Sequence, residues 1–269
     1  MNIFTVLLTQ PLTNGLALSY RLLGSNMGLA IIGFSLFLRA ALSPLTKPYM
    51  NSMAKMKELT PELNKIKAKH KNDKTKLMQA QAEFYKQKGV NPGAGCLPYL
   101  LQIIILIALF NVFTRVLASN GDILAKFNTL LYEPLKFPLG TAINTHFLYL
   151  DITKPDVINV ANLPFGIPGP LVILAALVQF VSAKITMPFV EAEKKLAKAT
   201  PKAGDDIQVA MQSSMVYTFP LMTLFIGMQF PSGLALYWLI FSLSQAYTQY
   251  RSSGWGGATP WLKRVGLLE

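Results

Sequence analysis

Residues 30–44 read Ala-Ile-Ile-Gly-Phe-Ser-Leu-Phe-Leu-Arg-Ala-Ala-Leu-Ser-Pro, an apolar run with one cation, Arg39, set inside it. Extended to its limits near Met27 and Leu45, between the Leu23-Gly24-Ser25-Asn26 turn and Pro44 and Pro48, the run matches a membrane-crossing helix. Crossing about 30 Å of hydrocarbon takes roughly 20 apolar residues at about 1.5 Å each. A guanidinium at mid-span costs about 2.5–3.5 kcal/mol on insertion scales, so residues of this kind mark function. The alternative is a side chain that snorkels to headgroups near Lys47, about 12 Å away at the helical rise.

The whole composition agrees with that stretch. The chain has 269 residues, 52% apolar and only 14% charged, with a mean hydropathy of +0.37. Soluble domains carry about 25% charged residues. Disorder, collagen and disulfide scaffolds are excluded, since Cys96 is the single cysteine. With only His70 and His146 to add imidazole, no metal centre and no cofactor are expected.

Four further segments approach spanning length: about 97–117, 170–187, 215–230 and 234–250. The segment 170–187 follows the breaker run Pro164-Phe165-Gly166-Ile167-Pro168-Gly169-Pro170. The last two are separated by Pro231-Ser232-Gly233, which predicts a tight turn and an antiparallel hairpin. Residues 1–23 are too broken by Pro11, Asn14, Gly15 and Arg21 to span. They read as an amphipathic helix lying in the interface, with a cleaved signal peptide as the alternative. The fold class is therefore an all-α polytopic membrane protein: an N-terminal interfacial segment (1–23), a five-span core (24–250) and a short tail (251–269).

Lysine placement orients the spans. Residues 47–93 hold eleven lysines against Glu58, Glu62, Asp73 and Glu83, a net +7 of the chain's +12. The stretch 119–169 has Lys126, Lys136 and Lys154 against Asp122, Glu133, Asp151 and Asp156. Lys184, Lys194, Lys195, Lys198 and Lys202, then Arg251, Lys263 and Arg264, return the basic excess. Cytoplasmic loops collect Lys and Arg, so the amino end is expected outside and the carboxyl end in the cytoplasm.

The basic segment 47–93 predicts two short antiparallel helices. Thr60-Pro61-Glu62 has the pattern of a helix start, and Lys71-Asn72-Asp73-Lys74 of the turn. Leu59, Leu63 and Ile66 form one thin apolar stripe, and Leu77, Ala80 and Phe84 the other. Lys55, Lys57, Lys65, Lys67, Lys69, Lys71, Lys74 and Lys76 make it a candidate docking arm for ribosomal RNA, anionic lipids or acidic nascent chains. The plainer reading is a solvated linker that only enforces topology. Met50, Met53 and Met56 add an adaptable apolar strip.

None of the five expected spans carries a carboxylate or a histidine, which argues against a proton relay or a buried catalytic dyad. Uncharged polar groups are frequent instead. Ser35 and Ser43 share the helix side of Arg39, at four residues before and after it. Gln102, Asn111 and Thr114 fall in the second span, Gln179 and Ser182 in the third, and Thr218, Thr223 and Gln229 in the fourth. Ser242, Ser244, Gln245 and Thr248 fall in the fifth. Singly each suits a helix–helix hydrogen bond. Around one arginine they suggest a positively charged, water-filled cavity open to the cytoplasm. The fourth span's short apolar length would thin the bilayer locally.

Several motifs then occur in a characteristic order: Gly28-Leu29-Ala30-Ile31-Ile32 with Leu38-Arg39 and Leu42-Ser43-Pro44-Leu45-Thr46; Met56-Lys57-Glu58-Leu59-Thr60-Pro61-Glu62-Leu63; Gly89-Val90-Asn91-Pro92 leading to Gly95-Cys96-Leu97-Pro98 and Gln102. Phe147-Leu148-Tyr149-Leu150-Asp151, Lys154-Pro155-Asp156 and Phe230-Pro231-Ser232-Gly233-Leu234-Ala235-Leu236-Tyr237-Trp238 follow. Over residues 28–250 the chain resembles the YidC/Oxa/Albino family of membrane protein insertases. It departs in carrying Ile103-Ile104-Ile105 where the family usually places a proline.

The resemblance implies a non-enzymatic insertase or chaperone of the bacterial plasma (inner) membrane. Hydrophilic segments of nascent membrane proteins would be drawn into the groove and their apolar spans released into lipid along the third and fifth spans. Arg39 would be the groove arginine that attracts acidic substrate segments, lined by Ser35, Ser43, Gln102, Gln179, Ser182, Ser242 and Gln245. Tyr237 and Trp238 would face sliding substrate helices, or else serve as interfacial belt aromatics. The expected partners are nascent membrane proteins, anionic lipids, the ribosome and the Sec translocon, around a monomeric core. A small transporter or anion conduit using Arg39 is the rival reading.

Overall fold

The computed structural model describes residues 3–70, 73–90, 97–114, 123–161, 164–186 and 205–266. A π-helical turn, Thr5–Thr9, runs into α1 (Gln10–Leu22). Helices α2 (Met27–Lys69), α3 (Lys74–Gln87), α4 (Leu97–Val112) and α5 (Ile123–Leu130) follow. Two small antiparallel ladders come next, β1 (His146–Phe147) with β2 (Leu150–Asp151) and β3 (Val157–Ile158) with β4 (Ile167–Pro168). Helices α6 (Pro170–Thr186), α7 (Asp205–Gly227), α8 (Ser232–Ser253) and α9 (Thr259–Arg264) complete the order. The chain is thus mostly helical.

Among the described residues, one stretch, Met27–Leu45, is both long and apolar enough to cross a membrane. Ile103–Val112, Pro170–Thr186 and Val216–Gly227 are apolar but shorter. The ends expected at 115–117 and 187 lie outside the described residues. The 22 residues of α8 have spanning length but a more polar composition.

Two expected boundaries differ. Pro44 and Pro48 do not end the first helix, and Thr60-Pro61 does not begin a new one, because α2 is continuous over 43 residues. Each proline deletes one backbone hydrogen bond and leaves the rest of the ladder in place, and Pro220 is carried inside α7 in the same way. Helix α7 also starts at Asp205, ten residues before the expected Met215, so only its apolar part is short. The turn after it occupies residues 228–231.

The chain divides into two compact units. The first comprises Met1–Leu42, Leu101–Phe180 and Phe219–Ser244. Its core joins Leu16, Ala17 and Tyr20 of α1, Ile31 and Phe34 of α2, Leu109 of α4, Phe127 of α5, Val172 of α6, and Leu234 to Tyr237 of α8. The helix expected at the interface therefore buries one face in this core, while Leu7, Leu18 and Leu22 stay exposed. Asn14 fastens it: Nδ2 donates to Leu130 O (3.0 Å) and Oδ1 accepts from Tyr132 N (2.7 Å). Arg21 donates to the carbonyls of Pro134, Leu135 and Lys136.

Residues 144–156 tie down three helix starts of this unit. A helix leaves its first N–H groups without intrahelical partners. Here Met27 N donates to Asn144 O (3.1 Å), and Ser232 N and Gly233 N donate to Lys154 O (2.7 Å) and Ile152 O (3.1 Å). Leu171 N and Val172 N donate to the buried Asp156 carboxylate at 2.8 and 3.2 Å. One segment thus satisfies the starts of α2, α6 and α8.

The second unit comprises Ser43–Leu100, Val181–Thr218 and Gln245–Glu269. Leu63, Leu77, Phe84 and Val90 are buried in it, and Lys88 Nζ pairs with Glu62 Oε2 at 2.7 Å. Leu63 of the first expected stripe and Leu77 and Phe84 of the second are thus buried, with Leu59, Ile66 and Ala80 half-buried. Asp73 caps α3 by accepting from Lys76 N at 3.0 Å. The segment expected as a short tail is folded: Ala258 and Leu262 bury with Ile185, and Tyr250 lies 4.6 Å from Trp255 between ring centroids.

Candidate functional site

Helix α2 places Arg39 two turns before the last residue of its apolar stretch. The guanidinium carbon stands 5.5 Å from the centroid of the Phe241 ring on α8. Phe241 stacks on Tyr237, one helical turn earlier, with centroids 6.2 Å apart and planes at 28°. The negative face of an aromatic ring attracts a cation by about 0.5–2 kcal/mol, more as water is removed. Arg39 is half-buried, so this contact recovers part of what the charge loses in leaving water.

The other expected groove residues of the first unit have these positions. Ser35 and Ser242 are each 5% exposed. Ser35 Oγ donates to Ile31 O of its own helix, the usual way a helical serine satisfies itself. Gln179 Oε1 accepts from Thr223 Oγ1, a polar link between α6 and α7 in otherwise apolar surroundings. Tyr237 is buried and Trp238 half-buried against the core. The side chain of Gln102 lies outside the described residues.

Ser43, Ser182 and Gln245 belong to the second unit. Ser182 is buried, and its carbonyl accepts from Thr186 Oγ1 at 2.9 Å. Lys184 Nζ donates to Tyr217 OH at 3.3 Å and stands 5.1 Å over that ring.

Lys55, Lys65 and Lys69 are exposed on the polar end of α2, and exposed Lys76 pairs with Asp73 at 3.2 Å. Lys71 and the side chains of Lys57, Lys67 and Lys74 lie outside the described residues.

Two residues escaped the sequence reading. Phe241 was one apolar residue among many, and only its position four residues after Tyr237 hinted at a shared face. Thr223 is one polar residue among several in the fourth expected span, and nothing in the sequence pairs it with Gln179. Asp156, by contrast, stood inside a quoted motif, and its role is now visible: it accepts from two backbone amides and from Tyr149 OH at 3.2 Å.

The family described as 60Kd inner membrane protein matches residues 18–253. The membrane protein insertase YidC of Fusobacterium nucleatum is 33% identical over 225 residues, covering 84% of this chain and 85% of that protein. The one from Caulobacter vibrioides is 32% identical over 251 residues, covering 90% of this chain and 35% of that protein. The one from Jannaschia sp. (strain CCS1) is 34% identical over 232 residues, covering 85% of this chain and 33% of that protein. The chain thus spans about a third of the length of the Caulobacter and Jannaschia proteins.

Proposed function

We propose, for a chain that belongs to the 60Kd inner membrane protein family, that it works as a membrane protein insertase. It draws hydrophilic segments of client proteins into a positively charged groove open to the cytoplasm. The client's apolar span then leaves sideways into lipid, driven by burial of its apolar surface. Nothing is hydrolysed. Within the first unit the groove side is marked by Arg39 and Gln179, with the half-buried Trp238 along the sliding path.

The observation that carries this reading is Arg39 over Phe241 within the apolar reach of α2. A cation at that depth attracts an acidic segment more strongly than it would in bulk water, because the medium around it screens less. The polar link from Thr223 to Gln179 adds hydrogen-bonding groups between the apolar helices α6 and α7. Five spans, an outer amino end and a cytoplasmic carboxyl end complete the proposal, supported by the lysine distribution. Residues 47–93 then form a cytoplasmic arm that docks ribosomal RNA, anionic lipid or acidic nascent chains.

The test is translation in vitro into liposomes holding either wild type or Arg39→Ala. Insertion of small clients with acidic outer segments is expected to fall severalfold, while clients without that charge change little. Equal insertion of the acidic clients by both would remove Arg39 from the mechanism.

A further inference from the structure

The tip of the β1–β2 hairpin places an apolar side chain where both backbone and solvent disfavour it. Leu148 has φ +54°, the left-handed region, at the first of two turn residues, a position that suits glycine. The residue is 85% exposed. Tyr149 beside it is 59% exposed while its hydroxyl accepts from Leu171 N at 2.9 Å and donates to Asp156. Phe165, before the β4 strand that leads into α6, is 67% exposed. Nothing in the described chain offsets these exposures, and an observed backbone outlier licenses a functional reading.

The hairpin's surroundings identify what covers it. Phe147 packs on Gly28, in the first turn of α2: a Cβ on that glycine would lie 2.1 Å from Phe147 Cγ. Asn26 Nδ2 donates to His146 O at 2.9 Å, and Tyr149 OH reaches the first turn of α6. Leu148 is therefore one residue away from groups that touch the first turns of two apolar helices. Exposed apolar side chains continue along both helices, Leu29, Leu36 and Phe37 on α2 and Ile173, Leu174 and Leu177 on α6.

We infer that Leu148, Tyr149 and Phe165 form an anchor that enters the outer-leaflet interface of the bilayer, where an aromatic ring and an aliphatic tip are stabilised. The partner is lipid at the boundary of headgroups and acyl chains. The inference rests on α2 and α6 lying in a bilayer with the amino end outside, as proposed above, and not on insertase activity.

Spin labels test it, placed singly by Leu148→Cys, Phe165→Cys, Leu177→Cys and Glu133→Cys in a Cys96→Ser background, with the full chain in lipid nanodiscs. Labels at 148 and 165 are expected to collide preferentially with oxygen, as a label at 177 on α6 does, and not with a water-soluble nickel complex. The label at Glu133, an exposed residue of the short 3-10 turn Glu133–Leu135, is expected to show the reverse. Nickel accessibility at 148 equal to that at 133 overturns the anchor, and so does shielding from both relaxants, which would mean a protein covers the tip. If 177 itself sits in water, the bilayer placement fails instead, and the two failures are told apart.

Discussion

Arg39 and Phe241 illustrate how much a single contact can decide. A guanidinium spreads its charge over a plane that stacks on a ring, which an ammonium does not. Arg39→Lys is therefore expected to keep most of the attraction for acidic clients and to lose part of the hold on Phe241. A double-mutant cycle with Phe241→Leu, read by unfolding in detergent, is expected to give a coupling of about 0.5–2 kcal/mol. A coupling of zero would mean the ring only fills space. Gly28 makes a steric counterpart. Its place in a family-like motif was legible, but not that Phe147 covers it, because that neighbour lies more than a hundred residues away. Gly28→Val is expected to destabilise by about 1–3 kcal/mol through forced displacement of that ring, measured by thermal unfolding.

The same loop that covers Gly28 acts on whole elements. Asp156 holds the first turn of α6 through two amides, and Asp156→Ala would leave Val172 N and Tyr149 OH without this acceptor and Leu171 N with the Tyr149 hydroxyl alone. A loss of about 2–4 kcal/mol is expected, since buried hydrogen bonds to a charged group contribute about 1.5–3 kcal/mol each and do not sum fully. Asp151 acts on the hairpin beside it. Its partial burial pushes the carboxyl up, but hydrogen bonds from the Thr153 hydroxyl and amide, from Lys154 and from Thr145 outweigh this and hold it below the usual range. A carboxyl held low favours the fold in its charged state. Its contribution is complete above about pH 4, the ordinary value for Asp, and disappears as the pH falls through the lowered one. The stability difference between wild type and Asp151→Asn is therefore expected to be largest near neutrality and to shrink toward pH 3, followed by unfolding in detergent. For α3, the Asp73 side chain caps the first turn and its own carboxyl is held low chiefly by the Lys76 amide. A helix start near Asp73 was legible from residues 71–74, whereas the capping role of Asp73 and the continuity of α2 through three prolines were not. Proline marks where one hydrogen bond is lost, and tertiary packing decides whether the helix ends there.

Across the whole molecule, charge is the organising quantity. The segment 47–93 concentrates a net +7 while residues 119–169 are slightly acidic. If that segment docks anionic partners, its attraction is long-ranged and screened by salt over about 8–10 Å. Replacing Lys55, Lys65 and Lys69 with Glu in the full chain is expected to weaken co-sedimentation with ribosomes at low salt and to flatten its salt dependence. Unchanged binding would leave the segment a topological linker. The carboxyl-terminal residues modify the picture of a plain basic tail, because Leu262 and Ala258 are packed with Ile185 and leave Lys263 and Arg264 on the surface.

By itself, the order of residues determined that this chain is helical and membrane-bound, where its cation sits, and which family it resembles. Those properties follow from local quantities: apolar run length, lysine density and short motifs in sequence. Only the tertiary structure decided that Phe241 faces Arg39, that Thr223 bonds to Gln179, that α1 buries a face in the core, and that residues 144–156 satisfy three helix starts. Each of these depends on groups distant in the chain meeting at a few ångströms, and a helical or alternating pattern specifies which face is covered without naming what covers it.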